Sequence, residues 1–222
     1  MKVLIYGKDG YEKVKQKAEE LGFDLTNSDP ELVIVVGGDG HILRAARKYP
    51  DSIIFGLRKE SKGGLIDADF KNFQSALKKI LKKKYRIEHW SRIELIYKNV
   101  KTWGLNDVYF FRKHLGATRF RIYIDGKDVY KDELYGDGCL AATPQGSTAY
   151  NFSLSGRVLP KSSKHFQFTP IATSHMSKGA RAKSITIPEG KEVVVKITRD
   201  SPNQIVADNA FSLDKGFKAG TK

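Results

Sequence analysis

The run Leu32-Val33-Ile34-Val35-Val36 leads without a break into Gly37-Gly38-Asp39-Gly40. Five consecutive apolar residues with no polar alternation read as a strand buried on both faces, and such strands belong to sheets covered by helices on either side. After the glycines, Ile42, Leu43, Ala45 and Ala46 favour a helix. Upstream, Lys2 to Tyr6 is a short apolar run closed by Gly7 and Gly10, and Tyr11, Val14, Ala18 and Leu21 recur at helical spacing before Gly22. Downstream, Ile53 to Leu57 reads as the next strand and residues 72–84 as another helix. Strand and helix therefore alternate through about the first 86 residues, which predicts an α/β domain with an open, mostly parallel sheet.

Beyond Arg86 the pattern changes. Phe120, Ile122 and Ile124 alternate with Arg119, Arg121 and Tyr123, and Asp125-Gly126 is a hairpin signal before Val129 and Tyr130. Further strands are expected over Ile93–Tyr97, Val108–Phe111, Ser184–Ile187, Val193–Thr198 and Ile205–Ala207. Pro188-Glu189-Gly190 and Ser201-Pro202-Asn203 punctuate them. The expected organisation is an α/β domain at 1–86 followed by an antiparallel, β-rich domain at 87–222, with a ligand site in the crevice between the halves.

The 222 residues are 40% hydrophobic and 29% charged, enough to bury a sizeable core. No apolar run approaches the roughly 20 residues that cross a bilayer, and Met1 to Gly10 lacks the basic-then-apolar layout of an export signal. A soluble, cytoplasmic protein without membrane partners is expected. The single cysteine, Cys139, has no cysteine to pair with and no histidine neighbours at zinc-ligand spacing. His41, His89, His114, His165 and His175 likewise show no metal-binding spacing.

A formal charge of +14 favours anionic partners. Its densest block, Lys78, Lys79, Lys82, Lys83, Lys84 and Arg86, overlies Phe73, Leu77, Ile80 and Leu81 at helical spacing, which reads as a solvated helix face. Without interleaved aromatics or a recognisable nucleic-acid motif, small anionic molecules are the expected partners.

Two clusters carry chemistry. Gly37-Gly38-Asp39-Gly40, between strand and helix, suits the approach of a phosphate to free helix N–H groups, or else forms a tight turn in which Asp39 caps the helix. It is neither a Walker loop nor a dinucleotide fingerprint. The segment Tyr135-Gly136-Asp137-Gly138-Cys139-Leu140-Ala141-Ala142-Thr143-Pro144-Gln145-Gly146-Ser147-Thr148-Ala149-Tyr150 offers amides, hydroxyls and an aromatic ring to a nucleotide. Its alternative reading is a turn and a small-residue helix start capped by Ser147 or Thr148.

Both clusters, with Asn106-Asp107 between them, resemble the NAD kinase family. That family carries a Gly-Gly-Asp-Gly turn, an Asn-Glu or Asn-Asp pair, and a Gly-Asp-Gly segment running into Thr-Pro-x-Gly-Ser-Thr-Ala-Tyr. Pro170-Ile171-Ala172 and Val206-Ala207-Asp208 extend the resemblance along the chain. It implies phosphoryl transfer from ATP or polyphosphate to the adenosine-ribose 2′-hydroxyl of NAD, giving NADP, on an α/β domain followed by a β-rich domain. By position, Asp39 would be catalytic and Gly40 would let the ligand approach. Asn106 and Asp107 would hold the NAD ribose, Asp137 the nicotinamide end, and Thr148, Ala149, Tyr150, Asn151, Phe152, Ser153 and Ala172 the adenosine parts, with Asn209 also in the substrate site. A divalent metal, Mg²⁺, would bridge the donor phosphates, with no dedicated protein cage. A homodimer or homotetramer is implied.

The chain departs from the family where Gly-x-Asn-x-Gly-x-Leu-Gly-Phe is replaced by Gly56-Leu57-Arg58-Lys59-Glu60-Ser61-Lys62-Gly63-Gly64-Leu65, where Asp208-Asn209 stands for Asp-Gly or Asp-His, and in its short C-terminal segment. Arg58, Lys59 and Lys62, at the carboxyl end of the Ile53–Leu57 strand, are expected to supply donor-phosphate charge. Two readings compete with catalysis: a non-catalytic nucleotide-binding or regulatory protein on the same fold, and a nucleic-acid-binding basic protein.

Overall fold

The computed structural model describes residues 1–7, 10–58 and 64–222. The chain divides into two compact units, Met1–His89 and Trp90–Lys222, three residues later than the 86/87 division expected from sequence. Lys83, at φ 52°, follows the end of the preceding helix.

The first unit is built from β1 (Lys2–Gly7), α1 (Tyr11–Glu20), β2 (Asp24–Leu25), β3 (Leu32–Val36), α2 (Asp39–Lys48), β4 (Ile53–Arg58), β5 (Ala68–Asp69) and α3 (Phe73–Leu81). Its strands form one parallel sheet in the order β2-β1-β3-β4-β5. All five residues of β3 are buried, as the unbroken apolar run requires of a strand flanked on both sides. Val14 and Ala18 of α1 and Leu77 and Ile80 of α3 join Val3, Ile5, Ile34 and Leu57 in one core. The lysines of α3 face away from it, and α3 stops at Leu81 rather than at 84.

The second unit continues with β6 (Ile93–Tyr97), β7 (Val100–Gly104), β8 (Asp107–Arg112), β9 (Thr118–Ile124), β10 (Lys127–Asp128), β11 (Leu134–Gly136), β12 (Gly138–Ala142), the short helix α4 (Tyr150–Ser153), β13 (His165–Ile171), β14 (Ser174–His175), β15 (Ile185–Pro188), β16 (Val193–Ile197), β17 (Ser201–Ala207) and β18 (Phe211–Phe217). β6 and β7 pair as a separate hairpin. One antiparallel sheet runs β15-β13-β12-β8-β17-β18, and a second runs β10-β9-β11-β14 with β16 also on β9. Phe120 and Ile122 of β9 are fully buried against Phe110, Phe168 and Ile197, while Arg119, Arg121 and Tyr123 take the other face, as the period-2 pattern demands. Asp125 and Gly126 both adopt positive φ, the geometry of the primed turn their sequence signals.

Three expectations are corrected. The cluster from Tyr135 is not turn and helix start from its beginning: Leu134–Gly136 and Gly138–Ala142 are strands, and β12 lies between β8 and β13 at the centre of the large sheet. Glycine, cysteine and alanine carry little β signal, yet they suit strands whose neighbours come close. A Cβ on Gly138, at φ 147°, would stand 1.9 Å from the Phe110 carbonyl oxygen. The second correction concerns Ser201-Pro202-Asn203, which belongs to β17. Pro202 lies where β17 pairs with β18, just beyond the ladder with β8, so its missing N–H breaks no β8 ladder bond. The last is that β13, in the middle of the sheet, has no counterpart among the sequence-expected strands.

Gly138→Ala is therefore expected to lower stability by about 3 kcal/mol or more, since backbone rather than a mobile side chain obstructs the new methyl. Gly126→Ala meets nothing within 4 Å and should cost about 1 kcal/mol for its positive φ alone. Urea denaturation of both variants checks the contrast.

Candidate functional site

In the first unit the glycine turn ends β3 and opens α2. Gly38 is the N-cap residue and makes no side-chain cap bond, and Asp39 is already in the first helical turn. Asp39 does not cap its own helix. Its carboxylate instead accepts the N–H of Gly64 at 2.9 Å and of Leu65 at 3.2 Å. The aspartate thus fixes the position of the chain that returns after β4, while staying half-buried. Gly40 is exposed, and a Cβ there would meet only the Arg44 guanidinium at 3.8 Å. Outside its chain neighbours and its own helix backbone, no other described residue comes within 4 Å of that position.

The three cations expected to meet donor phosphates are not alike. Arg58 is paired: its Nε donates to Asp69 Oδ1 at 2.7 Å, across the β4–β5 register that sets the two residues opposite each other. Its charge is balanced by that carboxylate, because adjacent parallel strands bring the two residues side by side. Lys59 and Lys62 lie outside the described residues.

In the second unit the Asn106-Asp107 pair is held from both sides. Asp208, in the left-handed region at φ 53° just after β17, accepts the backbone N–H of Leu105 at 2.7 Å, of Asn106 at 2.8 Å and of Asp107 at 3.2 Å. From the other side Thr143 donates its hydroxyl to Leu105 O at 2.6 Å and its N–H to Asn106 O at 2.9 Å, and its Oγ1 accepts the Gly146 N–H at 3.0 Å. Gly146 fits because a Cβ there would stand 1.9 Å from Asn106 O. The Thr-Pro turn is thus bolted directly onto the Asn-Asp pair.

This clamp leaves Asn106 Oδ1 buried with no hydrogen-bond partner among the described residues. A buried amide oxygen without a donor is costly, and a ligand N–H or O–H relieves it. Beside it, burial pushes the Asp107 carboxyl up to about 7, and the nearby negative charge of Asp208 adds to the shift. Near neutrality Asp107 can therefore hold a proton and donate a hydrogen bond, which an ordinary aspartate cannot. Tyr109 donates its hydroxyl to Asn209 Oδ1 at 2.8 Å, and its ring meets that of Tyr150 edge to face at 5.5 Å. Tyr150 and Phe152 are exposed aromatics, at 37% and 63%, a surface on which a flat base can lie.

The remaining residues separate by what their side chains do. Asp137, between β11 and β12, accepts from Arg112 Nε at 2.5 Å and stays half-buried. Thr148 and Ser153 are exposed, Ala149 is half-buried, and Ala172 is exposed at φ 44°. Asn151 turns its side chain inward. It is fully buried, its amide nitrogen donates to Ser147 O at 3.0 Å and Arg157 O at 3.1 Å, and its oxygen accepts from Thr169 at 2.7 Å. Its side chain shapes the turn from within. Sequence reasoning missed Tyr109, Thr143 as a clamp, Arg112, and Asp208 as the anchor of the pair. No local pattern marks a carboxylate that acts on amides about a hundred residues away.

The family profile described as ATP-NAD kinase C-terminal domain matches residues 105–218. A protein of Sulfurisphaera tokodaii named NAD kinase is 32% identical over 188 residues, 83% of this chain and 71% of the relative. One of the same name from Methanothermobacter thermautotrophicus is 29% identical over 188 residues, 84% of this chain and 65% of the relative. The chain thus matches about two thirds of the length of these relatives. The crystal structure of yeast NADH kinase complexed with NADH shares the fold at a TM-score of 0.81 and 20% identity, covering 99% of this chain and 78% of that one. An NAD kinase from Archaeoglobus fulgidus in complex with ATP gives 0.77 at 25% identity, covering 99% and 88%. Most of the second unit thus matches the C-terminal domain of ATP-NAD kinases. The chain belongs to the NAD kinase family.

The Asp107 shift has a consequence for stability. With the folded value near 7 against 3.8 unfolded, the folded state binds the extra proton between those values, so stability declines as pH rises from about 4 to about 7 and is level above. Asp107→Asn removes that contribution. Urea unfolding at pH 5 and pH 8 should therefore show the variant gaining on the wild type by a few kcal/mol at the higher pH, on the scale of about 1.4 kcal/mol per pKa unit.

Proposed function

We propose that this chain phosphorylates NAD on the 2′-hydroxyl of its adenosine ribose to form NADP, with ATP or polyphosphate as donor. The observation that carries the reading is the unpartnered, buried Asn106 Oδ1 beside Asp107, in a chain of the NAD kinase family with a Gly-Asp-Gly turn at a helix start.

In this reading the Asn106 amide oxygen accepts from a ribose hydroxyl and protonated Asp107 donates to a ribose oxygen. The exposed rings of Tyr150 and Phe152 carry the adenine, and Asp137, oriented by Arg112, takes the nicotinamide end. The side chains of Thr148 and Ser153 and the backbone of Ala149 and Ala172 contribute at the adenosine, and Asn209 acts through its bond to Tyr109. Burial first, then Asp107, raises the Tyr109 phenol above its ordinary value, which keeps it a donor toward Asn209.

The bond that forms joins the 2′-oxygen to the terminal phosphorus of the donor. The bond that breaks joins that phosphorus to the bridging oxygen, which leaves with the shortened donor. An ordinary aspartate is a weak base toward an alcohol, so Asp39 orients the hydroxyl and takes its proton late, when the oxygen has become acidic through bonding to phosphorus. Among the described residues no three histidines, cysteines or carboxylates converge as a metal cage. In this reading a Mg²⁺ would arrive on the donor phosphates and would neutralise charge there. No helix of the described residues is long and apolar enough to span a membrane. The exposed edges of β15 and β18 favour assembly as a homodimer or homotetramer, since bare sheet edges seek partners.

The decisive assay is NADP formation from NAD with ATP or polyphosphate and Mg²⁺. Asp39→Asn is expected to lose roughly 10²–10⁴-fold in turnover, the usual range for an acid–base group, while NAD still binds by calorimetry. Near-wild-type turnover would remove Asp39 from the chemistry.

A further inference from the structure

A cavity of about 370 Å³ opens on the second unit, lined by residues outside the nucleotide cradle. Arg119 and Arg199 both line it, with His114, Tyr135, Met176 and Ser201. Arg119 projects from the outward face of β9, where the period-2 alternation sets it opposite Tyr135 of β11 in the sheet register. Arg199 stands in the turn between β16 and β17, so two elements far apart in sequence deliver guanidinium groups to one concavity.

The charge there is not balanced from within. Arg119 has one carboxylate near it, Glu133, at a loose 3.8 Å. Arg199 makes no side-chain hydrogen bond or ion pair with the described residues, because its neighbour Asp200 is engaged by Lys218 at 3.0 Å and by the Ala219 N–H at 2.7 Å. The ring nitrogen Nε2 of His114 is buried and has no hydrogen-bond partner among the described residues. Ser201 also lines the cavity, but its hydroxyl is engaged within the protein, donating to Arg199 O at 3.3 Å and accepting from the Asn203 amide at 2.7 Å. The wall is different in kind, since the Tyr135 ring and the Met176 thioether supply apolar surface.

We propose that this cavity is a binding site for a phosphate monoester with a flat organic body, separate from the dinucleotide cradle. A guanidinium fork matches two phosphate oxygens, and two forks meet a dianion without a metal. Tyr135 with Met176 receives the carbon skeleton. The volume holds one ring and one phosphoryl group. Arg112 connects the cavity to the cradle: its guanidinium donates both to the His114 carbonyl and to Asp137.

Phenyl phosphate is a suitable probe, titrated into the full chain by calorimetry at low and high salt, with inorganic phosphate and phenol alongside. Saturable, salt-weakened binding of phenyl phosphate is expected, tighter than that of inorganic phosphate, with none for phenol. Arg199→Ala should weaken it about tenfold to a hundredfold, the scale of a lost charge-assisted contact. Arg199→Lys, which keeps the charge and loses the fork, should fall between. Unchanged unfolding temperatures in both variants establish that the fold persists, and Met176→Glu, at an exposed position, serves as a second block should either arginine variant unfold. Excess NAD should leave the phenyl phosphate affinity unaltered. Absence of saturable binding, equal affinity for inorganic phosphate, indifference to the arginine substitutions or displacement by NAD would each overturn the proposal.

Discussion

One carboxylate organises the second unit. Asp208 receives three consecutive backbone N–H groups, from Leu105, Asn106 and Asp107, at 2.7–3.2 Å. Those donors open β8, the strand that pairs with both β12 and β17. A short concave row of amides is an anion nest, and here the anion is supplied by the protein itself. With the strand start fixed, the Thr143 hydroxyl can meet Leu105 O, the Thr-Pro turn can pack on Asn106, and the Tyr109 ring can meet Tyr150. Burial does most to keep the proton on Asp107, and the negative charge of the same Asp208 adds to it.

Physical regularity decided which parts of this fold were legible in the sequence. Leu32–Val36 could be read because burial on both faces forbids polar alternation, and β9 because burial on one face enforces it. Asp125-Gly126 was legible because few residue pairs tolerate two successive positive φ values. Gly136–Ala142 was not, since its strands are selected for thinness rather than for β-branched bulk. Pro202 misled for a related reason: a proline argues against a central strand only where its N–H is wanted, and the ladder with β8 ends one residue away.

The site was legible in its composition and less so in its division of labour. Asn106, Asp107, Asp137 and the Thr-Ala-Tyr run were found through resemblance to the NAD kinases, yet the resemblance does not say which side chain faces outward. Asn151 is turned wholly inward to bind Ser147, Arg157 and Thr169, whereas its neighbours Tyr150 and Phe152 are exposed. Arg58 looked available for phosphate as a residue in a list, but parallel pairing with β5 brings Asp69 alongside it. Asp39 was read as a cap or a catalyst and also serves as a tether for Gly64 and Leu65.

The close approaches at Gly138 and Gly146 bear on how the family signature is to be interpreted. Each glycine is there because a carbonyl oxygen of a neighbouring segment occupies the place of a side chain, 1.9 Å from where a Cβ would sit. Neither constraint involves a substrate. A descendant of this chain that abandoned phosphoryl transfer for pure nucleotide sensing would still need both glycines in order to fold. The Gly-Asp-Gly and Thr-Pro-x-Gly words thus testify to architecture before they testify to chemistry.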